Sequence, residues 1–519
     1  MDKICILDMG SQYTHLIARR IREHGVYSEI LPNNISIYKL KQYKPIGIVL
    51  SGGPSSVYEE NSPQLAEDFF TYTISEKIPV LGICYGFHLI IHQLGGNIKS
   101  FAQKEYGKTE LEILKSGKLL DSLNKREIVW MSHGDQVEIM PQGFEILART
   151  ATCPIAAYAN EDLKLYGVQF HPEVVHTQKG MKIFKNFIEK IVHAEKEWNL
   201  ENWIEKAIEN IKQEVGLKNR VILGLSGGVD SSVVAVLLQK AIGDRLHSIF
   251  VNNGMLRKNE EIQVQKTFKH VLKFENFHYV DAEELFLEKL KNVEDPEEKR
   301  RIIGHTFIEV FEKKTIELEK RYPDIKYLAQ GTIYPDRVET SVTSSASVKI
   351  KSHHNLTLPN DMTLKIVEPL KDLYKDEVRK IGLQLGLPES IVLRHPFPGP
   401  GLAVRIIGPI EKKKLDILRY ADEILIDEIK KAKVYDSLWQ AFCVFLPLKT
   451  VGIMGDYRTY EYICAIRVVE SLDAMTANFA KLDWELLEKI GTRIINEVKG
   501  INRVVYDISN KPPSTIEYE

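Results

Sequence analysis

The sequence is short of cysteine: five in 519 residues, at positions 5, 84, 153, 443 and 464, with no Cys-x-x-Cys pair. Neither a zinc knuckle nor a disulfide framework fits that spacing. No apolar run approaches the roughly 20 residues that span a bilayer, and the opening "MDKICILDMGSQYTHLI" lacks the apolar segment of a secretory signal. Net charge is almost absent. The 69 Lys and Arg against 71 Asp and Glu leave −2, which excludes a whole-molecule field that gathers nucleic acid or anionic lipid. A cytoplasmic protein with neither nucleic-acid nor membrane partners is expected. One local absence is sharper. The glycine-rich stretch "VILGLSGGVDSSVVAVLL", residues 221–238, has no lysine. A loop built to transfer a γ-phosphoryl group ends Gly-Lys-Ser/Thr, so that chemistry is excluded here.

Short apolar strands alternate with amphipathic helices from Lys3 to about Ile191, as in "ICILDMG", "GIVLSGGP" and "PVLGI", and again from "RVILGLS" onward. Such alternation predicts mostly parallel sheets covered by helices on both faces. A charged helical stretch around 193–216 and a Pro/Gly-dense one at 394–405 mark junctions. The fold expected is α/β, with two doubly wound domains at 1–195 and 196–394. A smaller α+β domain, taken to mediate dimerisation and substrate binding, follows at 395–519. No internal repeat or low-complexity tract is present.

In "PVLGICYGFHLIIHQLGG" an apolar strand runs through Gly82-Ile83-Cys84-Tyr85-Gly86 into a helix. Glycines two residues either side of a nucleophile let strand and helix pack closely, and the helix N-terminus favours a thiolate. A buried strand-end cysteine would look the same without a base. "LYGVQFHPEVV" supplies one: His171, with Glu173 two residues on to fix its tautomer. Oxyanion donors are available from the Tyr85 N–H and from Gly52 or Gly53 of "LSGGPSS".

The lysine-free loop offers backbone N–H groups from Gly227, Gly228, Val229 and Asp230, and hydroxyls from Ser226, Ser231 and Ser232, at a helix start. That is a nest for an anion. It suits an ATP attacked at its α-phosphate, with pyrophosphate resting in the nest and Asp230 helping to hold Mg²⁺.

The blocks "SGGP", "GICYG", "SHGD" and "HPE", in that order, resemble class I glutamine amidotransferases over residues 1 to about 190, and "LSGGVDSS" resembles the ATP pyrophosphatases. The first resemblance implies glutamine hydrolysis through a cysteine thioester, and the second implies adenylation of a carbonyl oxygen. One departure stands out: Phe87-His88 follows "GICYG" where that family has Met-Gln, a glutamine that helps grip the substrate. Further blocks, among them "YLAQGTIYPDRVET", "VEPLKDLYKDEVRKIG", "RHPFPGPGLAVR" and "INRVVYDISNKPPSTIEYE", extend the resemblance over the whole chain to the glutamine-hydrolysing GMP synthetases. That resemblance implies ammonia attack on adenylated xanthosine 5′-monophosphate (XMP), with ATP, glutamine and XMP as ligands and a homodimer as the assembly. It adds Val251 and Gly331 to the ATP site. It assigns Arg300, Gln440, Lys511, Ile516 and Glu517 to XMP, although Arg300 within "EEKRR" reads on its own as a solvated helix face. Phosphate donors are also available in the Phe397 to Gly401 loop. The polar, irregular stretch from Ile333 to Leu358 reads by itself as either a disordered loop or an active-site lid; the resemblance implies a lid, with Asp336, Glu339, Lys351, His353 and His354 at its functional positions. Two rivals compete: an RNA-modifying ligase with an inert amidotransferase-like domain, which would need a basic face, and a nucleotide-binding regulator with a dead triad.

Overall fold

A computed structural model describes residues 2–343, 364–471 and 476–519, omitting the side chains of 102, 103, 339–343 and 454. The chain divides into two compact units, Met1–Trp203 with Val338–Val342, and Ile204–Arg337 with Thr343–Glu519.

The first unit is built on a nine-stranded sheet. Five neighbouring strands are parallel, in the order Tyr27–Pro32, Lys3–Asp8, Gly47–Leu50, Val80–Ile83 and Leu165–Val168. The last three are buried along their whole length, as parallel strands covered on both faces must be. Four antiparallel strands, Ala157–Asn160, Glu145–Arg149, Asn97–Ile113 and Arg126–Ile139, then extend the sheet. This half is where the architecture departs from a mostly parallel sheet. Its two long strands pair as a hairpin, a pattern that needs no helical crossover.

The second unit holds an all-parallel five-stranded sheet, in the order Phe277–Asp281, Leu246–Asn252, Arg220–Gly224, Ile325–Ala329 and Lys365–Val367. Strand order reverses at Arg220–Gly224, and the crevice at such a reversal is where open α/β sheets bind ligands. A smaller sheet pairs Gln440–Met454 with Tyr457–Glu470, which also carries Asn478–Phe479 and Ile501–Tyr506. One apolar cluster runs from Ile222 and Ile249 through Leu415 and Leu418 to Cys443 and Ile466.

Within the stretch read as irregular, residues Tyr334–Thr343 form a helix. Pro335 sits in its first turn, where a missing N–H costs nothing, and the Asp336 carboxylate accepts from the Ile333 N–H at 3.2 Å. Among the described residues no helix is long and apolar enough to cross a membrane.

Candidate functional sites

The candidate nucleophile, its oxyanion loop and its base arise at the carboxyl ends of three adjacent parallel strands. Cys84 follows Val80–Ile83, Gly52 and Gly53 follow Gly47–Leu50, and His171 follows Leu165–Val168. Cys84 takes φ 51° and ψ −99°, a backbone state that L-residues adopt only under constraint. The flanking glycines supply that constraint. A Cβ on Gly82 would lie 2.5 Å from the Gly86 carbonyl oxygen, and one on Gly86 would lie 2.5 Å from that of Leu50. Side chains at either position would push the helix Tyr85–Gln93 off the sheet.

His171 is buried and turns Nδ1 to Glu173 Oε1 at 2.7 Å, while the Tyr13 ring meets it edge-on at 5.2 Å. Burial alone would depress its pKa, but the Glu173 carboxylate and the Cys84 sulfur outweigh burial and hold it well above the ordinary imidazole value. The imidazolium is therefore the stable form beside the sulfur. Its contribution to stability is complete below the ordinary value of 6.5 and is lost as pH rises through the raised folded value.

A Cβ placed on Gly52 would come within 3.1 Å of His171 Cε1 and 3.7 Å of Cys84 Cβ, so this glycine backs directly onto both reacting groups. A Cβ on Gly53 would meet the Met9 carbonyl oxygen at 2.6 Å and Tyr85 Cγ at 3.3 Å, so this glycine is packed tightly between them. The Tyr85 N–H opens the helix and has no intrahelical acceptor. Two groups not singled out in the sequence complete the surroundings: the Ser132 carbonyl at 3.7 Å and the Gln169 amide nitrogen at 3.9 Å from the sulfur. Gln169 had a signal in its position, directly after the strand Leu165–Val168 and two residues before His171.

His88, the departure in the elbow helix, is buried, and its pKa falls to about 4 through burial first and the neighbouring His133 second. It is a neutral ring facing Gln169, without a well-formed hydrogen bond at Nε2. Nearby, Glu105, His133 and Cys153 bring potential ligand atoms within 4.8 Å of one another. Protein partners already satisfy them. Glu105 accepts from Thr150, Thr152 and His133, and Cys153 donates to the Ile155 carbonyl as a thiol whose pKa burial pushes up to about 12.

Replacing Glu173 by Gln leaves the ring seated but removes the charge that supports the imidazolium. Glutamine hydrolysis in Glu173→Gln should fall by about 10²- to 10⁴-fold. The alkaline limb of kcat/KM for glutamine should also move to lower pH. An alkaline limb that stays in place would show that Glu173 does not tune His171.

In the second unit, Arg220–Gly224 runs into Gly227, at φ +74°, and then into the helix Val229–Ile242. Ser231 Oγ lies 3.0 Å from Ser226 Oγ and accepts from the Ser226 N–H at 3.2 Å, while Ser232 Oγ donates to the Gly228 carbonyl at 2.7 Å. Gly331 lies against this loop: a Cβ there would sit 3.4 Å from Asp230 Cβ and 3.5 Å from the Ser231 nitrogen. Val251 is buried within the neighbouring strand Leu246–Asn252.

Asp230 Oδ2 forms an ion pair with Lys375, the first residue of the helix Lys375–Gln384. The cation missing from the loop thus comes from 145 residues downstream. Asp230 Oδ1 is buried with no hydrogen-bond partner. A carboxylate oxygen left open in this way fits a divalent cation, and hard oxygen donors are what Mg²⁺ takes.

Of the XMP candidates, the fold joins three. Gln440 Nε2 donates to Glu517 Oε1 at 2.6 Å, and Ile516 packs with Phe442 and Val444 one residue away. The Lys511 backbone pairs with Ala477. Arg300 pairs with Glu297 on its own helix, Pro296–Arg321, rather than with any of the other four. Of the lid candidates, Asp336 caps its helix; Glu339 lies in the same helix, but its side chain, with Lys351, His353 and His354, falls outside the described residues.

A cysteine elbow with a paired His and Glu is an arrangement for nucleophilic acyl chemistry, and the same chain carries a helix-start nest for a phosphate-like anion. Residues 5–191 match the family "Glutamine amidotransferase class-I", 198–300 match "NAD synthase", and 427–518 match "GMP synthase C terminal domain". The protein named GMP synthase [glutamine-hydrolyzing] from Carboxydothermus hydrogenoformans is 55% identical over 100% of both chains. Its namesake from Brachyspira hyodysenteriae is 53% identical over 100% of this chain and 99% of that one. Among solved structures, a putative GMP synthase component from Thermoplasma acidophilum is 35% identical. It covers 37% of this chain and 94% of its own, with a TM-score of 0.34. The chain belongs to the glutamine-hydrolysing GMP synthase family.

Proposed function

We infer that this chain is a ligase that converts XMP, ATP, glutamine and water to GMP, AMP, pyrophosphate and glutamate. The observation that carries the reading is the pairing of the Cys84–His171–Glu173 constellation with the Asp230–Lys375 loop in a chain whose full-length relatives bear that activity in their name. Cys84 attacks the glutamine carboxamide, His171 passes the proton to the departing ammonia, and Gly52 and Tyr85 N–H groups receive the oxyanion. The loop receives the ATP phosphates, Asp230 would hold Mg²⁺, and that ion supplies charge neutralisation at the pyrophosphate. Lys375, paired with Asp230, adds a side-chain cation at the same place. Gln440, Ile516 and Glu517 form the acceptor end, with Lys511 and Arg300 as phosphate cations.

A second copy of the chain is the expected partner. Val451, Ile453, Tyr457 and Tyr460 stand 53%, 78%, 80% and 60% exposed on the antiparallel pair Gln440–Met454 and Tyr457–Glu470, an apolar display that association would cover. The deciding assay incubates the protein with ATP-Mg²⁺, glutamine and XMP. Stoichiometric GMP, AMP and glutamate are expected, and ATP cleavage without GMP would overturn the acceptor assignment.

A further inference from the structure

Three basic side chains of the second unit have no exposure at all, and each is aimed at the segment 507–519. The Arg467 guanidinium donates to the carbonyls of Ser509 at 2.5 Å, Thr515 at 2.9 Å and Ile516 at 3.4 Å. Lys299 donates to the Ile406 carbonyl at 2.9 Å and pairs with Glu519, whose other oxygen accepts from the Gly408 N–H at 3.2 Å. Arg405 makes a two-pronged pair with Glu517, Nε to Oε2 at 3.0 Å and Nη2 to Oε1 at 2.9 Å. A buried cation is costly unless its partners are held in place, so three of them on one short segment mark a geometry that the fold maintains at expense. Ile516 and Tyr518 fill the apolar side of that segment, packing with Phe442, Val444 and Ala465.

Arg405 is the informative member. Its guanidinium lies 4.0 Å from the centre of the Phe442 ring and 5.2 Å from that of Phe397, so its plane is fixed by aromatic contacts as well as by the carboxylate. Glu517 Oε1 therefore accepts from Arg405 and from Gln440 together. An unheld glutamate in a chain segment of this kind would sample several rotamers. Held from two sides, it presents one.

We propose that Arg405 is a positioning residue for the acceptor nucleotide: it acts through Glu517 and Gln440, holding their polar atoms ready for the purine nucleotide while Lys299 and Arg467 fix the backbone that carries them. The proposal rests on the acceptor-site reading above. Planar two-point donation to a carboxylate is something an arginine supplies and a lysine does not, so a lysine here restores charge without restoring orientation.

The test uses the full chain and ammonia-dependent GMP formation, with XMP varied at saturating ATP-Mg²⁺, and melting temperature recorded for each variant. Arg405→Met should raise KM for XMP by about 30-fold or more, with a smaller change in kcat, and Arg405→Lys should recover part of the loss. If Arg405→Met leaves KM within twofold while Glu517→Gln raises it, Arg405 is merely structural and the proposal falls. If Glu517→Gln also leaves KM unchanged, the acceptor reading itself falls. Should Arg405→Met fail to fold, Arg405→Lys and Glu517→Gln combined decide. A double variant no worse than the worse single one supports action through Glu517, and multiplied losses overturn it.

Discussion

Cys84→Ala is expected to abolish glutamine-dependent GMP formation, by on the order of 10⁶-fold, while GMP formation from added ammonium salt continues. The loss is large because nothing near Cys84 can take over nucleophilic attack. The polar groups around its sulfur are the His171 imidazole, which serves as the base, the Ser132 carbonyl oxygen at 3.7 Å and the Gln169 amide nitrogen at 3.9 Å, and none of them replaces a thiol that forms the thioester. Survival of the ammonia reaction follows from architecture: the elbow belongs to the nine-stranded unit, while the nest and acceptor candidates belong to the other. Alanine also fits the site, since it removes one sulfur without adding volume, although the φ of 51° remains strained for it. The measurement is GMP production with glutamine and with ammonium in parallel. Failure of ammonium to rescue would make Cys84 a structural residue of the whole chain.

The second large effect is expected at Asp230. Asp230→Ala should reduce AMP formation by about 10³-fold with either nitrogen source. Two functions disappear together: the buried Oδ1 left open for a cation, and the Oδ2 that holds Lys375 over the loop. Lys375→Met removes only the second, so it should fall between the parent and Asp230→Ala, and raising Mg²⁺ should recover more of Lys375→Met than of Asp230→Ala. AMP release measured under single-turnover conditions separates this from slow product release. Ammonia-dependent turnover at the parental rate in Asp230→Ala would remove the residue from the chemistry.

The elbow and the nest were legible because each is encoded in consecutive residues. Gly82, Cys84 and Gly86 state their steric requirement within five positions, and Ser226 to Ser232 form their loop within seven. The parallel strands announced themselves as unbroken apolar runs, for the same reason that they are buried on both faces. What escaped was carried by pairs distant in the chain. Lys375 reads as any lysine opening a helix, Arg405 as the end of a Pro/Gly loop, and Lys299 as one more charge beside Arg300; only the fold sets them against Asp230, Glu517 and Glu519. The hairpin Asn97–Ile113 with Arg126–Ile139 was missed because most of its length is polar and only Ile128 to Met131 makes a short apolar run. His88 was legible as a departure, but its buried, neutral state follows from neighbours that no local pattern names.

The separation of the chain into two compact units, one holding the nine-stranded sheet and the other the two smaller sheets, has a genetic consequence. In a cell that depends on this chain for guanine nucleotides and is fed abundant ammonium, lesions confined to the elbow are expected to become silent, whereas lesions at Asp230 or Glu517 are expected to stay lethal. A saturation library selected with and without ammonium would therefore draw the boundary between the two activities directly onto the sequence. Gly82 and Gly86 should be its most instructive positions. If the first unit can unfold without harming the second, substitutions there will be tolerated under ammonium like those at Cys84; if the second unit needs a folded neighbour, they alone among the elbow residues will stay forbidden.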